Sequence, residues 1–202
     1  MKNKKILTLA IDTVADSISV ALIQNGQTIA SQYRAMERGQ GEALIPMIQN
    51  VIRKAQYDFN DLTQVAVSVG PGSFTGVRIG LATARGIGLA LNIPVVGISA
   101  FEAAAFKTHG DILIVLDTKR GDFFTQRFQD EKPVEAPCIR DTAAIKSLNP
   151  NSIGGSGKDM LSFMNIPIVQ SSFIPAVAVG LCAMTSSGKA EPFYLRDADV
   201  SI

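Results

Sequence analysis

Two segments of the chain share one order of features, and this repeat constrains the fold more than any other property of the sequence. In each segment an apolar run ends in an aspartate, a short turn follows, and a second strand-like run comes next. Residues 6–24 place this aspartate at Asp12, and residues 112–128 place it at Asp117. Short, almost continuous apolar runs are typical of strands covered on both faces. The repeat predicts two related halves, residues 1–108 and 109–202.

Helix and strand signals alternate between and after these segments. Asn25-Gly26 predicts a tight hairpin that adds a third strand, and apolar residues at helical spacing predict helices over 42–56 and 75–91. The remaining predicted elements are strands over 65–69 and 93–98 and short helices near 100–106, near 142–147, after 158 and after 176. The sequence therefore predicts an α/β fold of two lobes, with mixed sheets and flanking helices.

The composition argues against several classes of protein. Of 202 residues, 47% are apolar and 18% are charged, which is the balance of a globular chain. The 19 basic and 18 acidic residues leave a net charge of +1, which is small for a protein that binds nucleic acid by itself. His109 is the single histidine, and Cys138 and Cys182 show no C-x-x-C spacing. We therefore expect no metal site and no catalysis of the Ser–His–Asp or Cys–His type.

The apolar segments do not have the pattern of membrane spans or secretory signals. The first apolar run has six residues and ends at Asp12, which is too short for a signal peptide. The most apolar stretch, residues 79–106, contains Arg85, Pro94 and Glu102. We expect a cytoplasmic protein that does not engage a membrane.

A glycine-rich loop, residues 70–76, separates the predicted strand 65–69 from the predicted helix 75–91. A strand that enters a helix through glycines presents free backbone N–H groups, which favour an anion. The loop matches neither a Walker A loop nor a dinucleotide fingerprint nor the G-x-S-x-G elbow of hydrolases. Two readings stay open, a phosphate site and a tight turn without a ligand. The candidate phosphate contacts are Gly70, Gly72 and Ser73, together with Asp12, Thr13 and Asp117.

Asp12 and Asp117 each end an apolar strand just before a turn. In actin-like ATPases such acidic strand ends flank the phosphates and the metal of a bound nucleotide. Here the turn 13–16 has no glycine and the turn 118–121 has one, although glycines let a hairpin close on a phosphate. The nucleotide clamp is therefore degenerate. A small actin-like ATPase or phosphotransferase that uses Asp12 and Asp117 remains the alternative function.

Small residues recur every fourth position along the predicted helix 75–91. Gly76, Gly80, Ala84 and Gly88 form a slowly winding strip on its surface. Glycine in a helix interior costs about 1 kcal/mol relative to alanine, so close approach of another backbone should compensate. The strip packs either inside the protein, on its own sheet or on the helix 42–56, or against a helix of a second chain.

Four motifs of the chain resemble the TsaB (YeaZ) family. They are Ile11-Asp12-Thr13, the stretch 69–84 with Gly70-Pro71-Gly72-Ser73-Phe74-Thr75-Gly76, Leu116-Asp117-x-x-Arg120-Gly121, and Tyr194-Leu195-Arg196. The resemblance is dense over residues 6–128 and thin afterwards. It implies an actin/hexokinase/Hsp70-like (ribonuclease H-like) fold and a role in making threonylcarbamoyladenosine beside the tRNA anticodon.

The resemblance also implies partners. Members of the family are non-catalytic subunits that activate the catalytic subunit TsaD, and TsaE is an associated ATPase. For this chain it implies a TsaD-like partner, a TsaE-like ATPase, tRNA contact only through the complex, and negligible turnover alone. It leaves open a homodimer in the absence of partners. It implies no intrinsic cofactor and leaves open ATP or ADP at the partner interface.

The same resemblance implies a partner-binding face on the helices 42–56 and 75–91. The residues assigned to it are Met47, Val51, Gly76, Gly80, Thr83, Ala84 and Gly88. The chain departs from the family at Gln40-Gly41-Glu42, where many members have His-Ser-Glu, and its second lobe is shorter.

Overall fold

A five-stranded mixed sheet forms the first half of the protein in the computed structural model, which describes residues 6–171 and 174–196. Its strands are β1 (Leu7–Asp12), β2 (Ser17–Gln24), β3 (Gln27–Ala35), β4 (Gln64–Ser68) and β5 (Val95–Ile98). Their order across the sheet is β3-β2-β1-β4-β5. β2 lies antiparallel to β1 and β3, whereas β4 lies parallel to β1 and β5. The hairpin predicted at Asn25-Gly26 is confirmed, and both residues have positive φ.

Helices cover both faces of this sheet. Helices α1 (Gln40–Lys54) and α2 (Phe74–Leu91) cover the face that carries large side chains such as Leu9 and Val67. The other face carries small side chains, among them Ala10 and Ala66. Side chains alternate between the two faces along a strand. Large side chains such as Leu9 therefore lie on one face of the sheet and small ones such as Ala10 on the other, and each face packs in its own hydrophobic cluster.

A second sheet forms from residues 111–154 and is smaller. It contains β6 (Asp111–Asp117), β7 (Phe123–Gln129), β8 (Lys132–Pro133), β9 (Cys138–Arg140) and β10 (Ile153–Gly154). β6 pairs antiparallel with β7 and parallel with β10, as β1 pairs with β2 and β4. The predicted repeat of an apolar strand, an aspartate, a turn and a second strand is thus confirmed.

The remaining helices are short. They are α3 (Ala100–Ala105), α4 (Thr142–Leu148), α5 (Pro175–Cys182) and two 3-10 helices, Phe59–Asp61 and Lys158–Met164. α3 packs between the two sheets, with Phe101 in the core of the large-side-chain face and Ala103 in that of the small-side-chain face.

Helix α5 comes from the second predicted half of the chain but packs on the first sheet. Its approach is close, because a Cβ on Gly180 would lie 2.6 Å from the Ile23 side chain and 2.9 Å from that of Ala10. The small-side-chain face of the sheet makes this contact possible. The predicted boundary near residue 108 therefore separates the two sheets, but not the segments that pack on them.

The segment 188–196, called the tail here, follows the edge of β5. The N–H of Gly97 donates to the carbonyl of Gly188 at 2.9 Å, and Arg85 of α2 donates to the carbonyl of Ala190. The last part of the predicted tail, residues 197–202, lies outside the described residues.

Helix α1 begins two residues earlier than predicted, at Gln40, after Gly39 with φ +82°. Pro46 is the seventh residue of α1 and lies in its second turn. A proline there removes one backbone hydrogen bond. Its side of the helix is exposed, so water can reach the carbonyl that loses its partner.

Candidate functional site

A cleft of about 930 Å³ lies between the two sheets. Its walls come from the turns after β1 and β6, the glycine loop before α2, helix α3 and the tail. Of the predicted phosphate contacts, Asp12, Gly72, Ser73 and Asp117 line it. The structure thus brings both acidic strand ends and the glycine loop to one place.

The glycine loop packs directly on the turn that follows β1. A Cβ on Gly72 would lie 2.3 Å from the carbonyl oxygen of Val14, and one on Gly76 would lie 2.0 Å from that of Thr13. The N–H of Ser73 donates to Val14 O at 2.7 Å, and Thr13 Oγ1 donates to Gly76 O at 2.7 Å. Close approach of two backbones therefore accounts for these glycines. Phosphate contact by this loop stays a prediction.

The start of α2 is capped by the side chain of Ser73. Ser73 Oγ accepts a hydrogen bond from the N–H of Gly76 at 3.2 Å. Gly70, just before the cap, has φ +102°. A Cβ there would lie 2.7 Å from the carbonyl oxygen of Phe193 in the tail. Thr13 and Gly70, the other two predicted phosphate contacts, do not line the cleft. Thr13 packs against α2, and Gly70 packs against the tail.

Asp12 is a buried carboxyl group at the floor of the cleft. It is 3% exposed, and burial raises its pKa to about 6, while the nearby Ser68 hydroxyl and the Val14 N–H counter part of the rise. Within the described part of the chain, Asp12 Oδ1 and Ser68 Oγ have no hydrogen-bond partner. The ionised form of Asp12 is therefore destabilised in the folded protein.

We expect Asp12→Asn to stabilise the protein near neutral pH. The folded state holds the Asp12 proton up to about pH 6, whereas the unfolded chain releases it near the ordinary pKa of 3.8. The free energy of unfolding of the wild type should therefore fall as pH rises from about 4 to about 6, by roughly 2 to 3 kcal/mol. Asp12→Asn should remove this fall. Urea unfolding at pH 4 and pH 7.5 measures it, with the exposed Asp159→Asn as control. Equal pH profiles of Asp12→Asn and wild type would contradict the assignment.

The turn after β6 contains an ion-pair cluster that the sequence analysis missed. Lys119 Nζ lies 2.5 Å from Asp16 Oδ2 and 2.9 Å from Asp117 Oδ2. Asp16 belongs to the turn after β1, so Lys119 connects the two turns across the cleft. Only Asp117 carried a sequence signal, because the meeting of Lys119 with Asp16 depends on how the two sheets are arranged.

The tail reaches the same cleft from the other side. Tyr194 packs on Phe74 with ring centroids 4.9 Å apart, and the Arg78 guanidinium lies 3.6 Å from the Phe74 ring centroid. Arg196 forms a hydrogen-bonded ion pair with Asp122, and this contact lowers the pKa of Asp122. The tail therefore contacts both lobes, which the motif around Tyr194 alone did not reveal.

Most of the residues predicted to bind a partner lie inside the protein. A Cβ on Gly80 would lie 2.6 Å from Thr13 Oγ1, and one on Gly88 would lie 2.4 Å from Val95 Cγ2. The buried members of the predicted set are Met47, Val51, Gly76, Gly80, Ala84 and Gly88, and Thr83 is half-buried. The strip of small residues packs inside the protein, which is the first of the two alternatives that the sequence left open. These six buried residues offer little surface to a partner in the free chain, and their direct contact with one stays a prediction.

A different row of residues faces outward from α2. Ala82 and Gly86 are exposed, and a Cβ on Gly86 would meet no atom within 4 Å. Leu89 continues the row with 85% of its surface exposed, and Ile45 of the neighbouring α1 is 44% exposed. We call these four residues the outer face.

Two further findings concern the described residues, 6–171 and 174–196. Among them no three His, Cys, Asp or Glu side chains are grouped so as to hold a metal ion. None of their helices is long and apolar enough to cross a membrane.

Solved structures identify the class of fold. YeaZ from Pseudomonas aeruginosa is 21% identical, with a TM-score of 0.72 over 94% of this chain and 100% of that one. The inorganic polyphosphate/ATP-glucomannokinase of Arthrobacter sp. strain KM is 11% identical, with a TM-score of 0.52 over 89% of this chain and 97% of that one. The two related sheets and the cleft between them therefore define an actin/hexokinase-like fold.

Sequence comparisons identify the family. The family model described as TsaD, tRNA N6-adenosine threonylcarbamoyltransferase, matches residues 27–156. An uncharacterised protein of Mycobacterium tuberculosis (strain H37Rv) is 30% identical over 196 residues, which are 95% of this chain and 92% of that protein. The tRNA threonylcarbamoyladenosine biosynthesis protein TsaB of Escherichia coli (strain K12) is 31% identical over 129 residues, 61% of this chain. The chain belongs to this TsaD-type family, and over part of its length it is similar to relatives named TsaB. It spans about half the length of the relatives named TsaB, 55% of the E. coli protein.

Proposed function

We propose that the protein is a non-catalytic subunit that binds and activates a TsaD-like catalytic subunit. In this proposal the complex transfers the threonylcarbamoyl group to the adenosine beside the tRNA anticodon. The proposal is supported by the matched family, which is described as tRNA N6-adenosine threonylcarbamoyltransferase, and by a relative named tRNA threonylcarbamoyladenosine biosynthesis protein TsaB.

The outer face carries the proposal. Leu89 is a large apolar side chain with 85% of its surface in solvent, and it lies beside the small residues Ala82 and Gly86. An exposed leucine beside small residues on a long helix lets a second helix approach closely and bury apolar area. Ile45 is a second exposed apolar side chain, on the neighbouring helix α1. The TsaD-like subunit binds here, on the side of α1 and α2 that faces away from the sheet.

The remaining partners follow from this role. A net charge of +1 supports tRNA contact through the complex rather than by this chain alone. A TsaE-like ATPase is a further partner, and the proposal leaves open ATP or ADP at the partner interface and a homodimer in the absence of the catalytic subunit. The location is the cytoplasm, where the tRNA substrate is.

The first experiment mixes the protein with the TsaD-like protein of the same organism. Size exclusion with light scattering should give a one-to-one complex, and the lone chain should not turn over ATP. The complex should modify tRNA when the other pathway components are supplied, and omission of this chain should remove the product. Failure to form any complex would contradict the proposal.

The same experiment distinguishes the enzymatic alternative. A small ATPase that uses Asp12 and Asp117 would hydrolyse ATP without a partner, and Asp117→Asn would abolish that turnover. A lone chain with such turnover would be an enzyme rather than an activating subunit.

A further inference from the structure

The turns after β1 and β6 meet at Lys119. Its Nζ lies within 2.9 Å of one carboxylate oxygen of Asp16 and one of Asp117, so a single ammonium group serves both lobes. Asp117 is well buried, with 11% of its side chain exposed. An acidic group in that position needs a compensating positive charge.

Nucleotide-binding proteins of this fold place a divalent cation beside such acidic strand ends. Magnesium requires oxygen ligands at about 2.0–2.1 Å in near-octahedral geometry, and it keeps several waters. In this chain the Lys119 ammonium already occupies the space between the two carboxylates and supplies the positive charge. A magnesium ion would have to displace it. The residues present therefore do not fit the metal–nucleotide group that the fold implies.

The Lys119 side chain is positioned by its own backbone. Its N–H donates to Asp117 Oδ1 at 2.8 Å, and its φ is +64°. The same aspartate thus fixes the lysine main chain with one oxygen and binds its ammonium with the other. The neighbouring Asp16 and Asp117 raise the pKa of Lys119, so the group stays charged at neutral pH.

The turn is also held at its other end. Thr118 Oγ1 donates to the carbonyl of Asp122 at 2.9 Å, and Asp122 pairs with Arg196 of the tail. The tail in turn is bound to the first lobe, where the N–H of Phe193 donates to Val69 O at 2.8 Å. Two separate connections, Lys119 and the tail, therefore link this turn to the first sheet.

We propose that Lys119 is a built-in cation that replaces the divalent metal of nucleotide-binding relatives and ties the two lobes together across the cleft. The arrangement of the lobes then needs no bound nucleotide. Removal of the lysine charge leaves Asp16 and Asp117 as a vacant pair of oxygen ligands. A divalent cation should then bind where the Lys119 ammonium was.

Mn²⁺ binding followed by electron paramagnetic resonance tests this exchange. Lys119→Met removes the charge and keeps an unbranched side chain that is shorter by one atom. Because 62% of the Lys119 side chain is exposed, the fold should persist, which circular dichroism checks. We expect Lys119→Met to bind one Mn²⁺ at least tenfold more tightly than the wild type. Addition of Asp117→Asn should abolish this gain. Lys119→Arg, and Lys158→Met at the other lysine of the cleft, should behave as the wild type.

Hydrogen exchange of the turn 13–16 tests the tie between the lobes. We expect at least tenfold faster exchange there in Lys119→Met, and a return towards the wild-type rate when Mn²⁺ is added. Unchanged exchange would overturn the tie. Equal Mn²⁺ affinity of Lys119→Met and wild type, or faster exchange that Mn²⁺ does not reverse, would overturn the replacement of a metal by Lys119.

Discussion

Gly76→Ala should lower the free energy of unfolding by about 3 kcal/mol or more, the upper end of what overpacking costs. The added Cβ would lie 2.0 Å from the carbonyl oxygen of Thr13. A backbone oxygen cannot rotate away, so either α2 or the turn after β1 must move. Such a shift also breaks the hydrogen bond from Thr13 Oγ1 to Gly76 O. Helix propensity favours alanine by only about 1 kcal/mol and does not offset these losses.

Gly86→Ala is the matched control for Gly76→Ala, because it makes the same change in the same helix. A Cβ on Gly86 would meet no atom within 4 Å, so only helix propensity acts, and the variant should gain about 0.5–1 kcal/mol. Urea unfolding followed by circular dichroism measures both variants. Similar free energies of unfolding for the two would contradict the packing of α2 on the turn after β1.

The sequence predicted what depends on local chemistry. Asn25-Gly26 specified its hairpin, because a tight two-residue turn needs positive φ at both positions. Most helix and strand bounds in residues 6–129 lie within two residues of the prediction, because the apolar runs and the turn residues there are distinct.

The orientation of α2 could not be predicted, since the helix carries two rows of small residues. Gly76, Gly80 and Gly88 form one, and Ala82 and Gly86 form the other. The positions of neighbours such as Thr13 and Val95 show which row packs inside. A helix sequence specifies that a glycine allows close approach, but not which partner approaches.

The connections across the cleft were missed for a related reason. Lys119 and Asp16 are 103 positions apart, and α5 reaches the first sheet from residue 175 onward. Neither contact has a local signal, because each depends on how the two sheets are placed. The motif around Asp117 located the turn, but it did not reveal that the Lys119 ammonium lies between Asp117 and Asp16.

Gly86→Leu should weaken binding of the TsaD-like partner at least 100-fold without loss of stability, if the proposed function is right. The leucine side chain projects from the outer face, where the structure has open space above Gly86. It fills the volume that a partner helix needs for close approach. The same change at the buried Gly80 should instead unfold the protein, because a Cβ there already lies 2.6 Å from Thr13 Oγ1.

Leu89→Asp tests the same face by a different physical effect. Leu89 is 85% exposed, so its replacement should not alter folding. In the complex, however, the aspartate would place a charge in a buried apolar interface. Val134→Asp is the control, as Val134 is 57% exposed and lies in the second lobe. Isothermal titration with the partner should show at least a 100-fold weaker affinity for Leu89→Asp and no change for Val134→Asp. If Val134→Asp weakened binding and both Gly86→Leu and Leu89→Asp bound normally, the partner would engage the second lobe rather than α1 and α2.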